Sequence, residues 1–244
     1  MTAVGITTSG VSKRLGRTQA LDGVSLEFAA GGLNGLIGPD GAGKTTLMRI
    51  LAGLLRPDQG SVAFSAGGRK VPFAEVRPTM AYMPQRPSLY PDLSVAEHLE
   101  FFRDLYGLAP EVYAPRAAEL LSVTRLEPFR DRRASQLSGG MYKKLGLMCC
   151  LLQSPTALLL DEPTNGVDPI SRREFWDLLY RLASRRVLIV ISTAYMDEAE
   201  RCSKVHLLDD GRVLSSGEPA ALLAAEGAAG FHELFLRRAD ARRP

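Results

Sequence analysis

The sequence is poor in the residues that build covalent or metal-held frameworks. Its three cysteines, Cys149, Cys150 and Cys202, show no C-x-x-C spacing and no histidine partner pattern. That argues against a disulfide scaffold and the usual zinc patterns, and leaves the cysteines as small buried apolar groups in a reducing compartment. Charge of one sign is scarce as well. The net charge of +3 is too small to argue for a nucleic-acid surface. The last eight residues hold Arg237, Arg238, Arg242 and Arg243 against Asp240, which accounts for that whole excess. The basic ending 237–244 reads as a solvated tail or a linker into a second domain, with anionic-lipid contact as another use. No apolar run approaches the roughly 18–20 residues of a membrane span, and no secretory leader is expected. Any membrane role should therefore come through a partner.

What is present is a chain of 244 residues, 45% of them apolar, enough to bury the core of one large α/β domain or two small ones. Its organising stretch is Gly38-Pro39-Asp40-Gly41-Ala42-Gly43-Lys44-Thr45-Thr46, a G-x-x-x-x-G-K-T pattern. Leu36-Ile37 before it reads as a strand end, and Leu47, Ile50, Leu51, Leu54 and Leu55 after it recur at helical spacing. The glycines thus fall on a strand-to-helix turn. Gly38, Gly41 and Gly43 are expected to take positive φ, so that successive backbone N–H groups face an anion. The helix start adds a positive dipole end, Lys44 a point charge for the outer phosphates, and Thr45 a hydroxyl for Mg²⁺.

Around this loop, residues 1–33 alternate apolar and polar positions, as short antiparallel strands would. Strand-like runs follow at Ser61–Phe64 and Met80–Met83, and Gln85 comes directly after the second. From about 86 to 155 the pattern turns helical: Leu93, Leu99, Phe102 and Leu105 suggest one helix, and Ala118, Leu121 and Val123 another. Beyond 155, apolar runs at Leu158–Asp161, Val187–Ile191 and Val205–Leu208 alternate with helical stretches at about 170–184 and 195–202. This rhythm argues for a mostly parallel, buried sheet.

Two further stretches carry chemistry. The apolar run Leu158-Leu159-Leu160 ends in Asp161 and Glu162. Ligands of a parallel sheet sit at the carboxyl ends of its strands. Asp161 can therefore hold Mg²⁺ beside the loop, and Glu162 can polarise an attacking water; the alternative is an acidic strand end that caps the next turn. Leu137-Ser138-Gly139-Gly140-Met141 opens a helix read as amphipathic from Leu145, Leu147, Met148 and Leu151. Ser138 can cap it, and the glycines leave bare N–H groups at a positive helix end. Either this is a plain cap, or it completes an anion site on a facing subunit.

Together these residues resemble the ATP-binding domain of an ABC transporter. Gly38–Thr46 resembles the Walker A loop, Gln85 the Q-loop, Leu137–Met141 the signature, Leu158–Glu162 the Walker B strand, and Asn165-Gly166-Val167-Asp168 the D-loop. The resemblance covers nearly all of 1–236. It implies a P-loop NTPase fold: a RecA-like α/β core, an antiparallel β subdomain, and a helical subdomain near 86–155. It also implies an ATPase with ATP and Mg²⁺ as ligands, Thr45, Gln85 and Asp161 near the metal, and Glu162 as the catalytic base. Two such domains would pair head to tail, each signature facing the other's ATP, and dock on transmembrane permease domains at the cytoplasmic face of the membrane. The details are most similar to the exporter branch that serves drug efflux, and to the first half of tandem proteins. The other function class considered is a soluble ABC-type ATPase on ribosomes or DNA; no basic patch or coiled-coil insertion supports it.

Three departures stand out. Ile191-Ser192-Thr193 is followed by Ala194, where the family carries a histidine that holds the γ-phosphate and the attacking water. Alanine has no donor or acceptor, and removing one transition-state donor costs on the order of 10²–10³ in rate. None of His98, His206 and His232 stands at that position, and each is expected at the surface or on a strand. Leu15 stands where an adenine-stacking aromatic is usual, and Met141 ends the signature in place of glutamine.

Overall fold

The computed structural model describes residues 3–240. In chain order the elements are β1 (Val4–Leu15), β2 (Thr18–Phe28), β3 (Leu33–Ile37), α1 (Lys44–Leu51), β4 (Gln59–Ala66), β5 (Arg69–Val71), the single turn α2 (Phe73–Val76) and β6 (Met80–Met83). Then come α3 (Val95–Tyr106), α4 (Pro110–Thr124), α5 (Gly139–Leu151), β7 (Ala157–Asp161), α6 (Pro169–Ala183), β8 (Leu188–Thr193), β9 (Lys204–Asp209), β10 (Arg212–Gly217), α7 (Pro219–Glu226) and α8 (Phe231–Asp240).

Among the described residues the strands form two sheets. An antiparallel sheet runs β2-β1-β4-β5, and a second runs β10-β9-β3-β8-β7-β6. The second is parallel except for its edge strand β10. Strands β3, β7 and β8 are buried along their whole length, as parallel strands covered on both faces must be. Their residues alternate between two cores. Leu158, Leu160, Ile189 and Ile191 pack with the helices α5 and α6. Ala157, Leu159, Leu188 and Val190 pack with α1 and the antiparallel sheet. The parallel register aligns the functional ends: Ile37 pairs with Thr193, and Asp161 with Ser192. The loops after β3, β6, β7 and β8 therefore gather along one edge, where ligands of such sheets bind.

Several sequence expectations need correction. The strands at the start are long, 12 residues for β1 and 11 for β2. Leu93 lies outside α3, because Ser94 and Glu97 form a capping box that starts the helix at Val95. The stretch expected as a helix at 195–202 is a 3₁₀ turn, Met196–Arg201. Helix α5 is buried on nearly every side rather than amphipathic, since Leu145, Gly146, Leu147, Met148 and Cys149 are all covered. Of the cysteines, Cys149 and Cys202 are buried and Cys150 is half-buried. The basic ending does not begin as a tail. Arg237 and Arg238 lie on α8 and pair with Glu233 and Glu226, while Arg242 and Arg243 fall outside the described residues.

His98 sits in α3 with no exposed surface. Its Nε2 accepts from the Tyr90 backbone N–H at 3.0 Å and its Nδ1 donates to the Ser94 carbonyl at 2.8 Å. His206 is buried on β9, edge-on to Phe28 and bonded to the Ser216 hydroxyl at 2.7 Å. Burial, aided by the nearby charge of Lys204, pushes its pKa down to about 3. Neither ring reaches the sheet edge that carries the loops.

Candidate active site

The turn between β3 and α1 is specified by glycine at two positions for different reasons. Gly43, the N-cap of α1, has φ 98°, and a Cβ there would lie 2.3 Å from the Ala20 carbonyl oxygen. Gly38 is not left-handed, contrary to expectation; a Cβ on it would meet the Leu208 carbonyl oxygen at 2.1 Å. Closeness to β9, rather than a positive φ, demands glycine at 38. Gly41 keeps the expected positive φ, 83°. Between them Ala42 donates to the Pro39 carbonyl at 3.2 Å, and Asp40 and Gly41 are exposed.

Lys44 is buried at 4% exposure, and two hydrogen bonds and an ion pair hold its ammonium. The carbonyls of Gly38 and Pro39 lie at 2.8 and 2.9 Å, and Glu162 Oε1 at 3.0 Å. The other carboxylate oxygen of Glu162 accepts from the Gln85 amide at 2.8 Å and from the Asn165 amide at 3.1 Å. Glu162 is itself a backbone outlier, with φ 45°. Asp161 accepts three hydroxyl bonds: Ser192 at 2.6 Å and Thr45 at 3.2 Å on one oxygen, Tyr82 at 3.2 Å on the other. Burial and the Asp161 charge push the Tyr82 hydroxyl up to about 12, so it stays a donor at neutral pH.

Thus Lys44, Thr45, Thr46, Gln85 and Glu162 line one open cleft of about 550 Å³, with Asp40, Gly41 and Gly43 beside them. Asp161 lies behind Thr45. Leu15, Thr18 and Ala20 form the far wall, so Leu15 offers apolar contact there and no stacking ring. Gly38 donates to the Thr193 carbonyl at 3.2 Å, which sets Ala194 directly beside the loop as a side chain with nothing to donate. The adjoining Tyr195 ring turns toward Arg172, whose guanidinium lies 4.4 Å from the ring centre.

The second glycine-rich helix start stands elsewhere. Ser138 caps α5 by accepting from the Met141 N–H at 3.3 Å. Ser138 and Gly139 are exposed, while Gly140 is buried against Ser171. Residues 137–141 line no part of the cleft over Lys44. Leu137 and Gly139 instead border an adjoining cleft with Asn165 and Gly166, and Gln85 lines both clefts.

Comparison with known proteins bears on this arrangement. The family described as ABC transporter matches residues 21–165. The chain belongs to the ABC transporter ATP-binding family. It is 47% identical over 219 residues to the probable multidrug ABC transporter ATP-binding protein YbhF of Escherichia coli (strain K12), an alignment of 89% of this chain and 38% of that protein. This ABC domain therefore spans well under half the length of that relative. It is 37% identical over 228 residues to the Nod factor export ATP-binding protein I of Paraburkholderia xenovorans (strain LB400), covering 92% of this chain and 74% of the other. A solved ATP-binding subunit of an ABC transporter superposes with a TM-score of 0.83 at 28% identity, over 96% of this chain and 99% of its own. The P-loop α/β fold and family expected from the sequence are thereby shown. Among the described residues no helix is long and apolar enough to cross a membrane.

The donor set suits a magnesium ion that arrives with a nucleotide. Among the described residues no group of three or more His, Cys, Asp or Glu forms a metal cage. The pair Thr45 and Asp161, 3.2 Å apart, is the hydroxyl-plus-carboxylate contribution that Mg²⁺ takes when phosphates and water fill its remaining positions. Gln85 bonds to Glu162 instead. Ser192 and Tyr82, which bond Asp161, were not singled out from the sequence as site residues. The signal for Ser192 was a polar residue directly after the apolar run Val187–Ile191; Tyr82 acts through a long side chain that leaves no periodic trace.

Proposed function

We propose that this ABC domain binds Mg-ATP at the Gly38–Thr46 loop, hydrolyses it slowly, and drives export through separate transmembrane permease domains at the cytoplasmic face of the membrane. The observation that carries this reading is the convergence of Lys44, Glu162 and Gln85 in one cleft while residues 137–141 open elsewhere. A loop that grips phosphates and a second anion-binding helix start that cannot reach them in the same chain are the two halves of a head-to-tail pair. The exposed start of α5 then faces the ATP of a second ABC domain, in a separate chain or in a fused half. The names of the relatives, multidrug and Nod factor export, favour the efflux direction.

The residues divide the work. Main-chain N–H groups of the loop and Lys44 hold the β- and γ-phosphates, and binding draws the ammonium away from the Glu162 carboxylate it now pairs with. Thr45 and Asp161 would hold Mg²⁺, which would supply positive charge to offset that building on the phosphate oxygens. Glu162, oriented by Gln85 and Asn165, takes the proton of the water that attacks the γ-phosphorus. No side chain at 194 steadies that water or the γ-phosphate, so hydrolysis is slow, and the signature serves a competent partner better than the loop serves this chain. The test is steady-state Mg-ATP turnover by the chain and by Ala194→His. A rise on the order of 10²-fold is expected; equal rates would overturn the slow-site reading.

A further inference from the structure

Glu162 is a non-glycine residue at φ 45°, in the left-handed region. Such a conformation costs roughly 1–3 kcal/mol and persists only where the surroundings fix it. Its N–H donates into β8, to Ser192 Oγ at 3.0 Å and the Ser192 carbonyl at 3.1 Å. Its carbonyl is held from the other side by Lys143, whose ammonium lies 3.1 Å away and also donates to the Gln85 carbonyl. One side chain of α5 therefore joins the backbones of the two residues whose side chains meet at 2.8 Å in the cleft. The bonds run to carbonyls, not to the Glu162 carboxylate, so this is not a charge pair that merely neutralises an acid. The ammonium is half-buried, which leaves it few alternative partners.

We propose that Lys143 is a positioning residue for hydrolysis: by clamping the main chain of Gln85 and Glu162 it sets the direction of the Glu162 carboxylate. The inference rests on the reading of Glu162 as general base. It goes further in giving a residue of the signature helix a task in its own chain's site, five positions after the serine that faces the partner. Removing the clamp releases the strained backbone of Glu162 and lets the carboxylate swing, while Lys44 and the loop amides keep their hold on phosphate. The loss should fall on the chemical step and spare binding.

The test uses the full chain as Lys143→Met and Lys143→Arg, with Lys143→Gln as the milder change should Lys143→Met fold poorly. ATP affinity is measured by equilibrium binding, and hydrolysis by single turnover with protein in excess of labelled ATP. Lys143→Met, or Lys143→Gln in its place, is expected to lower the single-turnover rate at least tenfold with the ATP dissociation constant within twofold of the parent. Lys143→Arg, which keeps the donors, should return to within about threefold. An unchanged rate in Lys143→Met would overturn the proposal, as would parallel losses of affinity and rate. Lys44→Ala separates the two levels: if it leaves turnover intact, the proposed function fails. If it abolishes turnover while Lys143→Met does not, this inference alone fails.

Discussion

The two glycine-rich helix starts of this chain, 38–46 before α1 and 137–141 before α5, use the same chemistry to different degrees of completion. At the first, the Lys44 ammonium bonds two loop carbonyls and pairs with Glu162, and glycine is enforced by backbone oxygens 2.1 and 2.3 Å from where a Cβ would sit. At the second, Ser138 caps its helix and remains exposed, and a Cβ at Gly139 would meet nothing nearer than 3.4 Å. The first turn is built into its own domain; the second stays open, as the proposed head-to-tail pairing requires. Glycine at 38 and 43 is a requirement of folding, whereas at 139 the fold itself leaves room for a side chain.

Substitutions can break that contrast. The largest effect is expected from Lys44→Ala, which removes the buried cation aimed at the cleft; a charge-assisted contact of this kind is worth about 3 kcal/mol, on the order of 10² in affinity. Calorimetric titration with ATP reads it directly. Next, Gly38→Ala should cost about 1–3 kcal/mol of stability because β9 must move. Gly139→Ala, at the first position of α5, should cost nothing and can gain up to about 1 kcal/mol of helix preference. Denaturant unfolding of the two variants sharpens the difference, and equal losses would erase it.

An effect independent of this contrast lies away from both turns. His206 titrates near 3 in the folded chain against an ordinary 6.5, so the unfolded chain binds the proton first. Its contribution is complete above pH 6.5 and is lost as the pH falls toward 3. Between pH 7 and 5 the parent should lose about 2 kcal/mol more stability than His206→Leu, measured by urea unfolding at both values.

Much of this was legible in the sequence, for identifiable reasons. Apolar runs such as Leu158–Leu160 have no reading other than covered strands once a phosphate loop precedes them, and the loop motif carries its own strand-to-helix context. The pattern failed where burial is not one-sided. Helix α5 packs on nearly all faces, so periodicity could not say which residues point where, and His98 looked like a surface residue because no pattern announces a pocket closed by Tyr90 and Ser94. It failed again where a contact depends on distance through space. The oxygen of Leu208 that forbids a side chain at 38 lies 170 residues away in sequence, and the reach of Lys143 to Gln85 crosses 58.

Equilibrium ATP binding to the isolated chain carrying Ser138→Arg tests most directly whether the two helix starts serve different nucleotides. The account predicts a dissociation constant within twofold of the parent. A loss as large as that of Lys44→Ala would mean both starts grip one ATP in one chain, and would contradict it.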